Sequence, residues 1–168
     1  MRAHGFTLIE VLVAVAIIAA MALAVGLGLS GLGGTRQLER EAERLQSHLA
    51  WACEAAELDS RAIGLQQTAR GYQFLERHDG AWRAVRDQDA LAAHNLPAGM
   101  ELELVRDGER LSLATDAADA AAPQLACFPS GELPPFVANL SGAGADRDYR
   151  VEGTADGRIT LGSVDAPR

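Results

Sequence analysis

The chain has 168 residues, of which 48% are hydrophobic and 23% are charged, and this balance excludes an intrinsically disordered protein. Its 15 basic residues are all arginines and are outnumbered by 23 acids, so the formal net charge is −8, which argues against a nucleic-acid-binding protein. Two cysteines are too few for a small disulfide-framework protein, and they do not form a C-x-x-C pair, which excludes a zinc ribbon and a thioredoxin-like redox motif.

The first predicted element is a helix of membrane length. Val11–Leu29 is a run of nineteen residues without a polar side chain. As an α-helix it would measure about 28 Å, close to the hydrocarbon thickness of a bilayer. The sequence therefore predicts one N-terminal membrane helix followed by one more polar domain.

Two general interpretations fit residues 1–30 incompletely. A cleaved secretory signal peptide would explain the alternating alanines of residues 20–24, but the acidic Glu10 beside a long apolar run is atypical of such peptides. A plain membrane anchor is compatible with Arg2 and His4, which place the N-terminus in the cytoplasm by the positive-inside rule, but Arg36, Arg40 and Arg44 on the other side of the span weaken this orientation.

A third interpretation accounts for Glu10. A carboxylate carried to the centre of a bilayer costs about 2.5–3.5 kcal/mol and therefore needs a compensating cation. The segment Gly5-Phe6-Thr7-Leu8-Ile9-Glu10, followed at once by the apolar run, resembles the type IV prepilin signature. The resemblance implies that a membrane peptidase cleaves between Gly5 and Phe6 and methylates the new N-terminus of Phe6.

The same resemblance suggests a role for Glu10 in assembly. After cleavage, the α-amine of Phe6 is a cation at the start of an apolar helix. The Glu10 carboxylate of a neighbouring subunit can neutralise it in a medium of low dielectric constant, where an unpaired charge is expensive. Such a pair would fix the axial register between helices in a bundle.

From Thr35 onward the pattern is that of an amphipathic helix, which we expect to end near Leu58-Asp59-Ser60. Its apolar stripe repeats at three- and four-residue steps: Leu38, Ala42, Leu45, Leu49, Ala52, Cys53 and Ala56. The opposite face is predicted to be solvated, with three i,i+3 pairs of opposite charge: Arg36–Glu39, Arg40–Glu43 and Glu41–Arg44.

Glycines interrupt the junction between the apolar run and the amphipathic helix: Gly26, Gly28, Gly31, Gly33 and Gly34. Each interior glycine costs up to about 1 kcal/mol of helix stability relative to alanine, so we expect this junction to be a weak point. If helical from Phe6 to Leu58, the whole element would be roughly 80 Å long.

Residues 61–168 show repeated hairpin signals, and we predict seven or eight short strands in one or two sheets against the helix stripe. The predicted pairs of strands are 71–75 with 82–85, 100–105 with 110–113, 125–128 with 136–140, and 149–152 with 159–161. Three stretches are predicted loops: Arg86–Asn95, Ala114–Pro123 and Ser141–Arg147.

Several segments together resemble the GspH/FimT pseudopilin family over nearly the whole chain. They are the prepilin motif, Gly71-Tyr72-Gln73-Phe74 with Trp82, Phe128-Pro129-Ser130-Gly131-Glu132, and Asp156-Gly157-Arg158-Ile159. The resemblance implies an α+β, pilin-like fold, in which a long N-terminal helix, first membrane-spanning and then amphipathic, packs on an antiparallel β-sheet domain.

A catalytic or metal site is not predicted, and we expect no cofactor. The histidines are scattered, and His48 is interpreted as a surface residue of the helix. Ser130 lies in a predicted turn without the sequence context of a nucleophile. The paired loop acids Asp116 with Asp119 and Asp146 with Asp148 lack a known calcium-loop pattern.

Cys53 and Cys127 leave two alternatives open. Outside the cytoplasm a disulfide between them would persist, closing a loop worth about 4 kcal/mol in the chain-entropy model. Two separate buried thiols fit the pattern equally well, since Cys53 lies on the helix stripe and Cys127 in a predicted core strand.

The leading functional hypothesis is a minor pseudopilin of a type II secretion system. The resemblance implies a leader of residues 1–5, a transmembrane or filament-core helix of 6–30, an amphipathic helix of 31–60 and a periplasmic domain of 61–168. The implied partners are I-, J- and K-type pseudopilins, the major pseudopilin, the prepilin peptidase and the inner membrane. The alternative is a FimT-type minor pilin involved in DNA uptake, which the interleaved acids near the C-terminal arginines disfavour.

Overall fold

The computed structural model describes residues 8–85, 89–113 and 122–166, and the side chains within them except those of 20, 22–33 and 89. Gly5 and Phe6, the predicted leader, Asp116 and Asp119 lie outside the described residues, as does most of the predicted loop Ala114–Pro123.

The long helix α1 is the first element of the described chain. It runs from Leu8 to Leu58, 51 residues or roughly 75 Å, and it is continuous through the glycine-rich junction where we expected weakness. It ends where the sequence predicted, and Asp59 N–H donates to the Ala55 carbonyl to close the last turn. In the part of the chain that the structure describes, no helix has the length and apolarity required for a membrane span.

In the described segments, ten strands follow α1, with a short 3₁₀ helix at Asp89–Leu91. The strands are β1 (Ile63–Thr68), β2 (Gly71–His78), β3 (Ala81–Ala84), β4 (His94–Asn95), β5 (Met100–Arg106), β6 (Glu109–Arg110), β7 (Leu125–Cys127), β8 (Phe136–Gly142), β9 (Arg147–Gly153) and β10 (Ile159–Asp165).

The strands form two antiparallel sheets. The first has the order β3-β2-β1-β7, with β4 also pairing with β2, and the second has the order β10-β9-β8-β5-β6. The α+β fold with a long N-terminal helix and antiparallel sheets is therefore confirmed. Three of the four predicted hairpins form: β2 with β3, β5 with β6, and β9 with β10.

The fourth predicted hairpin is wrong. β7 pairs with β1 in the first sheet, whereas β8 pairs with β5 and β9 in the second. The chain between them therefore crosses from one sheet to the other. A turn motif between two apolar runs predicts a reversal of the chain but not the sheet that each run joins, which depends on contacts distant in sequence.

Three smaller predictions are corrected. The strand β1 was missed, because its residues Ile63–Thr68 mix apolar and glutamine side chains without clear alternation. β4 lies inside the predicted loop Arg86–Asn95, because main-chain groups of Gly71 and Tyr72 pair with it. The loop Ser141–Arg147 is shorter than predicted, since β8 extends to Gly142 and β9 begins at Arg147.

The hydrophobic core lies between the second half of α1 and the two sheets. Every member of the predicted helix stripe is buried except Cys53, which is half-buried. The sheets contribute the largest fully buried side chains, among them Tyr72, Phe74, Leu104 and Val151. The amphipathic half of α1 is thus fixed to the domain by burial of apolar area.

Candidate functional site

The first half of α1 is an uncovered apolar surface. Glu10 lies in the first turn of the helix, and the large apolar side chains around it are exposed, from Leu8 at 80% to Val11 at 50%. The exposed apolar positions continue through Ile18 and Met21. A contiguous apolar surface of this size marks a protein or membrane contact.

The position of Glu10 fits the role that the sequence resemblance implies. Its carboxylate is exposed in this chain and is surrounded on the helix by aliphatic side chains. When another apolar helix covers this surface, the carboxylate loses water and requires a cation. Cleavage between Gly5 and Phe6 would place an α-amine four residues before it.

One acid on the predicted solvated face of α1 is in fact buried. Glu41 is only 7% exposed, so the prediction of a fully solvated face is wrong at this position. Of the three predicted charge pairs, the structure forms Glu41–Arg44, with Arg44 Nη1 at 3.2 Å from Glu41 Oε1. Burial of the Glu41 carboxylate is tolerated because hydrogen-bond donors compensate for its lost hydration.

The second partner of Glu41 comes from a distant part of the chain. His94 of β4 donates from Nε2 to Glu41 Oε2 over 2.6 Å. This contact attaches β4, and the 3₁₀ helix before it with the fully buried Leu91, to the side of α1. Sequence reasoning missed the pair because 53 residues separate its members.

His48, which we predicted to be a surface residue, is half-buried. Its Nδ1 lies 3.3 Å from the Tyr72 hydroxyl, and its ring packs edge-on against Tyr72 and Phe74. Burial lowers the pKa of His48, and the nearby His94 and Arg44 lower it further. Burial likewise raises the pKa of the Tyr72 hydroxyl, so both groups are neutral near pH 7.

Cys53 of α1 and Cys127 of β7 form a disulfide, with their Cα atoms 5.0 Å apart. The bond links the helix to the edge of the first sheet, on the other flank of α1 from Glu41. The disulfide and the Glu41–His94 contact together hold the amphipathic half of α1 against the domain.

The Phe128–Glu132 segment is a tight turn at the same end of α1. Gly131 N–H donates to the Phe128 carbonyl, and Gly131 has a φ of +80°, a conformation that glycine adopts without strain. A side chain at this position would also approach the Glu57 carboxylate of α1, at 3.1 Å. Ser130 is an exposed turn residue, as its sequence context predicted.

The described residues do not assemble a metal site, since no three histidine, cysteine or acidic side chains among them are placed to share an ion. Asp146 lies beside α1, where its N–H donates to Thr35 Oγ1. The arginines near the C-terminus lie close to acids, as in the pairs Arg150–Glu152 and Arg158–Asp156. A Thr154 hydroxyl bond lowers the pKa of Asp156.

Two family models match the chain. The prokaryotic N-terminal methylation motif matches residues 1–26, and the type II transport protein GspH matches residues 41–157. The first covers the segment with Gly5, Phe6 and Glu10, and the second covers most of the amphipathic helix and the β-domain.

Curated relatives agree with these models. The type II secretion system protein H of Aeromonas hydrophila is 34% identical over 95% of this chain and 93% of its own length. The protein of the same name from Pseudomonas aeruginosa is 36% identical over 87% of this chain and 88% of its own length.

Solved structures share the fold. The minor pseudopilin EpsH from the type 2 secretion system of Vibrio cholerae aligns with a TM-score of 0.63 at 23% identity, over 74% of this chain and 94% of that chain. The solution structure of Escherichia coli GspH aligns with a TM-score of 0.56 at 16% identity, over 76% and 89% of the two chains.

Proposed function

Because the chain belongs to the GspH family of type II transport proteins, the minor pseudopilins of type II secretion, we propose that it joins I-, J- and K-type pseudopilins in a tip complex. This complex would start a short periplasmic pseudopilus of major subunits, which helps to export folded proteins across the outer membrane. The chain acts as a structural subunit, and its interfaces carry the function.

The observation that carries the proposal is the contrast between the two halves of α1. The second half buries its apolar stripe in its own domain, whereas the first half exposes aliphatic side chains around Glu10. Lateral packing of such half-helices, with the domains stacked head to tail, extends a filament instead of closing a ring.

The same contrast supports the proposed organisation of the chain. Residues 1–5 form the leader that the prepilin peptidase removes, and residues 6–30 form the helix that passes from the inner membrane into the filament core. Residues 31–60 continue that helix, and residues 61–168 form the periplasmic domain. The N-terminus then lies in the cytoplasm and the chain crosses the membrane once.

Mass spectrometry of the membrane-extracted protein tests the processing step. We expect a chain that lacks residues 1–5 and carries one methyl group on Phe6. A chain that retains Met1, or that is cleaved among the alanines of residues 20–24, would contradict the proposal.

A secretion assay tests the assembly role. Deletion of the gene should abolish export of the secreted proteins, and the intact gene supplied in trans should restore it. Normal export in the deletion strain would refute the role, whatever the state of the N-terminus.

A further inference from the structure

The last strand, β10, is an open edge of the second sheet. It spans seven residues, Ile159–Asp165, and its first six residues are uncharged and contain no proline. The other edge strands in the described part of the chain have two to four residues. Natural proteins usually protect long edges with charges, proline or a covering element, because an open edge can pair with another strand.

The hydrogen-bond pattern shows which main-chain groups of β10 are available. Next to its two ends, Thr154 N–H donates to the Arg158 carbonyl, and Ala166 N–H donates to the Asp146 carbonyl. Bonded and non-bonded pairs alternate along an antiparallel ladder. With the observed register, the groups that point toward β9 are those of Thr160, Gly162 and Val164. The groups that point away are those of Ile159, Leu161, Ser163 and Asp165.

The helix α1 occupies one end of this edge and leaves the rest open. Gln46 Nε2 donates to the outward Ile159 carbonyl over 3.2 Å, which confirms the direction of that group. Among the residues that the structure describes, no donor or acceptor meets the outward main-chain groups of Leu161 and Ser163. Their N–H and C=O groups repeat at the two-residue step that a paired strand requires.

The flank of α1 beside this edge is acidic. Glu39, Glu43 and Gln46 follow one another at four- and three-residue steps, so they lie on one side of the helix. Tyr149, the cross-strand neighbour of Ser163, packs next to this side. Burial raises the pKa of its hydroxyl, Glu39 and Glu43 raise it further, and Arg147 of β9 lowers it. Both acids are exposed. Arg36 precedes Glu39 by three residues on the same side of the helix, but neither acid forms an ion pair with an arginine among the described residues.

We propose that the β10 edge, from Leu161 to Asp165, binds an extended strand of a neighbouring pseudopilin, and that this strand presents a basic side chain to Glu39 and Glu43 of α1. The added strand pairs with the main-chain groups of Leu161 and Ser163 and so extends the second sheet, a recognised mode of peptide binding. The acids on α1 provide selectivity for the charge of the partner. The inference rests on the proposed function only for the identity of the partner class.

Binding measurements with the detergent-solubilised full chain test the pairing. Purified full-length I-, J- and K-type pseudopilins and the major pseudopilin are titrated one at a time. Ser163→Pro removes an outward N–H that makes no internal bond, and we expect it to weaken the interaction at least tenfold. Ser163→Ala keeps that N–H and should bind as the unchanged chain does.

A second pair of variants tests the acidic flank of α1. Glu43→Arg should weaken the same interaction at least threefold, and more at low salt than at high salt. Glu101→Arg makes the same charge change on β5, two strands away from β9, and should leave the affinity unchanged. Equal effects of both variants would mean that only net charge matters, which would overturn the assigned site.

Hydrogen exchange supplies a measurement that does not depend on any variant. In the complex, the amides of Leu161 and Ser163 should exchange at least tenfold more slowly than in the free chain, whereas those of Thr160 and Gly162 are already protected by β9. Unchanged exchange at Leu161 and Ser163, or the absence of binding to all four pseudopilins, would overturn the proposal. Self-association that Ser163→Pro abolishes would overturn it in favour of a second copy of this chain.

The secretion assay separates this inference from the proposed function. If the function is wrong, deletion of the gene leaves export intact. If only the edge pairing is wrong, deletion abolishes export but the Ser163→Pro chain restores it fully.

Discussion

Glu41 of α1 and His94 of β4 form a buried contact between two parts of the chain 53 residues apart, with His94 Nε2 at 2.6 Å from Glu41 Oε2. Arg44, one turn further along α1, approaches the same carboxylate. The three side chains attach the segment before β5 to the helix on the flank opposite the Cys53–Cys127 disulfide.

Loss of the Glu41 carboxylate should destabilise the domain. In Glu41→Ala, His94 and Arg44 lose their acceptor, and we expect a cost of about 1–3 kcal/mol in the free energy of unfolding. Glu43→Ala, an exposed acid on the same helix, should change stability by less than about 0.5 kcal/mol. Denaturant unfolding of both variants measures this difference, and equal effects would contradict the role given to Glu41.

Removal of the disulfide should also destabilise the domain. Its cysteines are 74 residues apart, and loss of a bond closing such a loop should cost about 2–5 kcal/mol. The double variant Cys53→Ala/Cys127→Ala, unfolded with denaturant, should show this loss. Addition of a thiol reductant should lower the free energy of unfolding of the unchanged chain but not that of the double variant. Identical unfolding curves of the unchanged chain with and without reductant would argue against the bond.

The environment of His48 should make stability depend on pH. The folded-state pKa lies below the ordinary value of 6.5, so the unfolded chain binds more protons between these two values. The contribution of His48 to the free energy of unfolding is therefore fully present above about pH 7. It declines as the pH falls through 6.5 toward the folded-state pKa.

The comparison of the unchanged chain with His48→Gln isolates this effect from other groups. The difference in their free energies of unfolding should shrink as the pH is lowered from 7.5 to 5. A difference that stays constant over this range would show that His48 does not titrate with a lowered pKa.

Substitution by alanine should affect stability differently at two glycines on paired strands. A Cβ at Gly153 on β9 would collide with the Phe136 ring, so Gly153→Ala should cost about 1–3 kcal/mol through overpacking. A Cβ at Gly162 on β10 would meet no atom within 4 Å. Gly162→Ala should therefore be neutral or slightly stabilising, and thermal unfolding of the two variants distinguishes them.

Neutralisation of Glu10 should separate processing from assembly. Glu10→Ala should leave cleavage after Gly5 largely intact, because the cleaved bond lies five residues away, but it removes the counter-ion proposed for a neighbour's Phe6 amine. We expect a processed chain and a clear loss of secretion. Gly5→Ala is the complementary variant and should hinder processing; full secretion with either variant would contradict the assigned roles.

The sequence by itself determined the features that depend on neighbours along the chain. The fixed order of Gly5, Phe6 and Glu10 before an apolar run indicated the family, and the three- and four-residue periodicity located the buried stripe and the end of α1. Three Asp-Gly turns, Asp79-Gly80, Asp107-Gly108 and Asp156-Gly157, located three hairpins, because turn residues and strand alternation are both local properties.

The tertiary structure alone decided which distant groups meet. It placed β7 and β8 in different sheets, buried Glu41 against His94, packed His48 against Tyr72 and brought Cys53 to Cys127. It also left β10 as an open edge. An exposed charged residue and a buried paired one look alike in sequence, since burial depends on the partner that folding supplies and not on the residue itself.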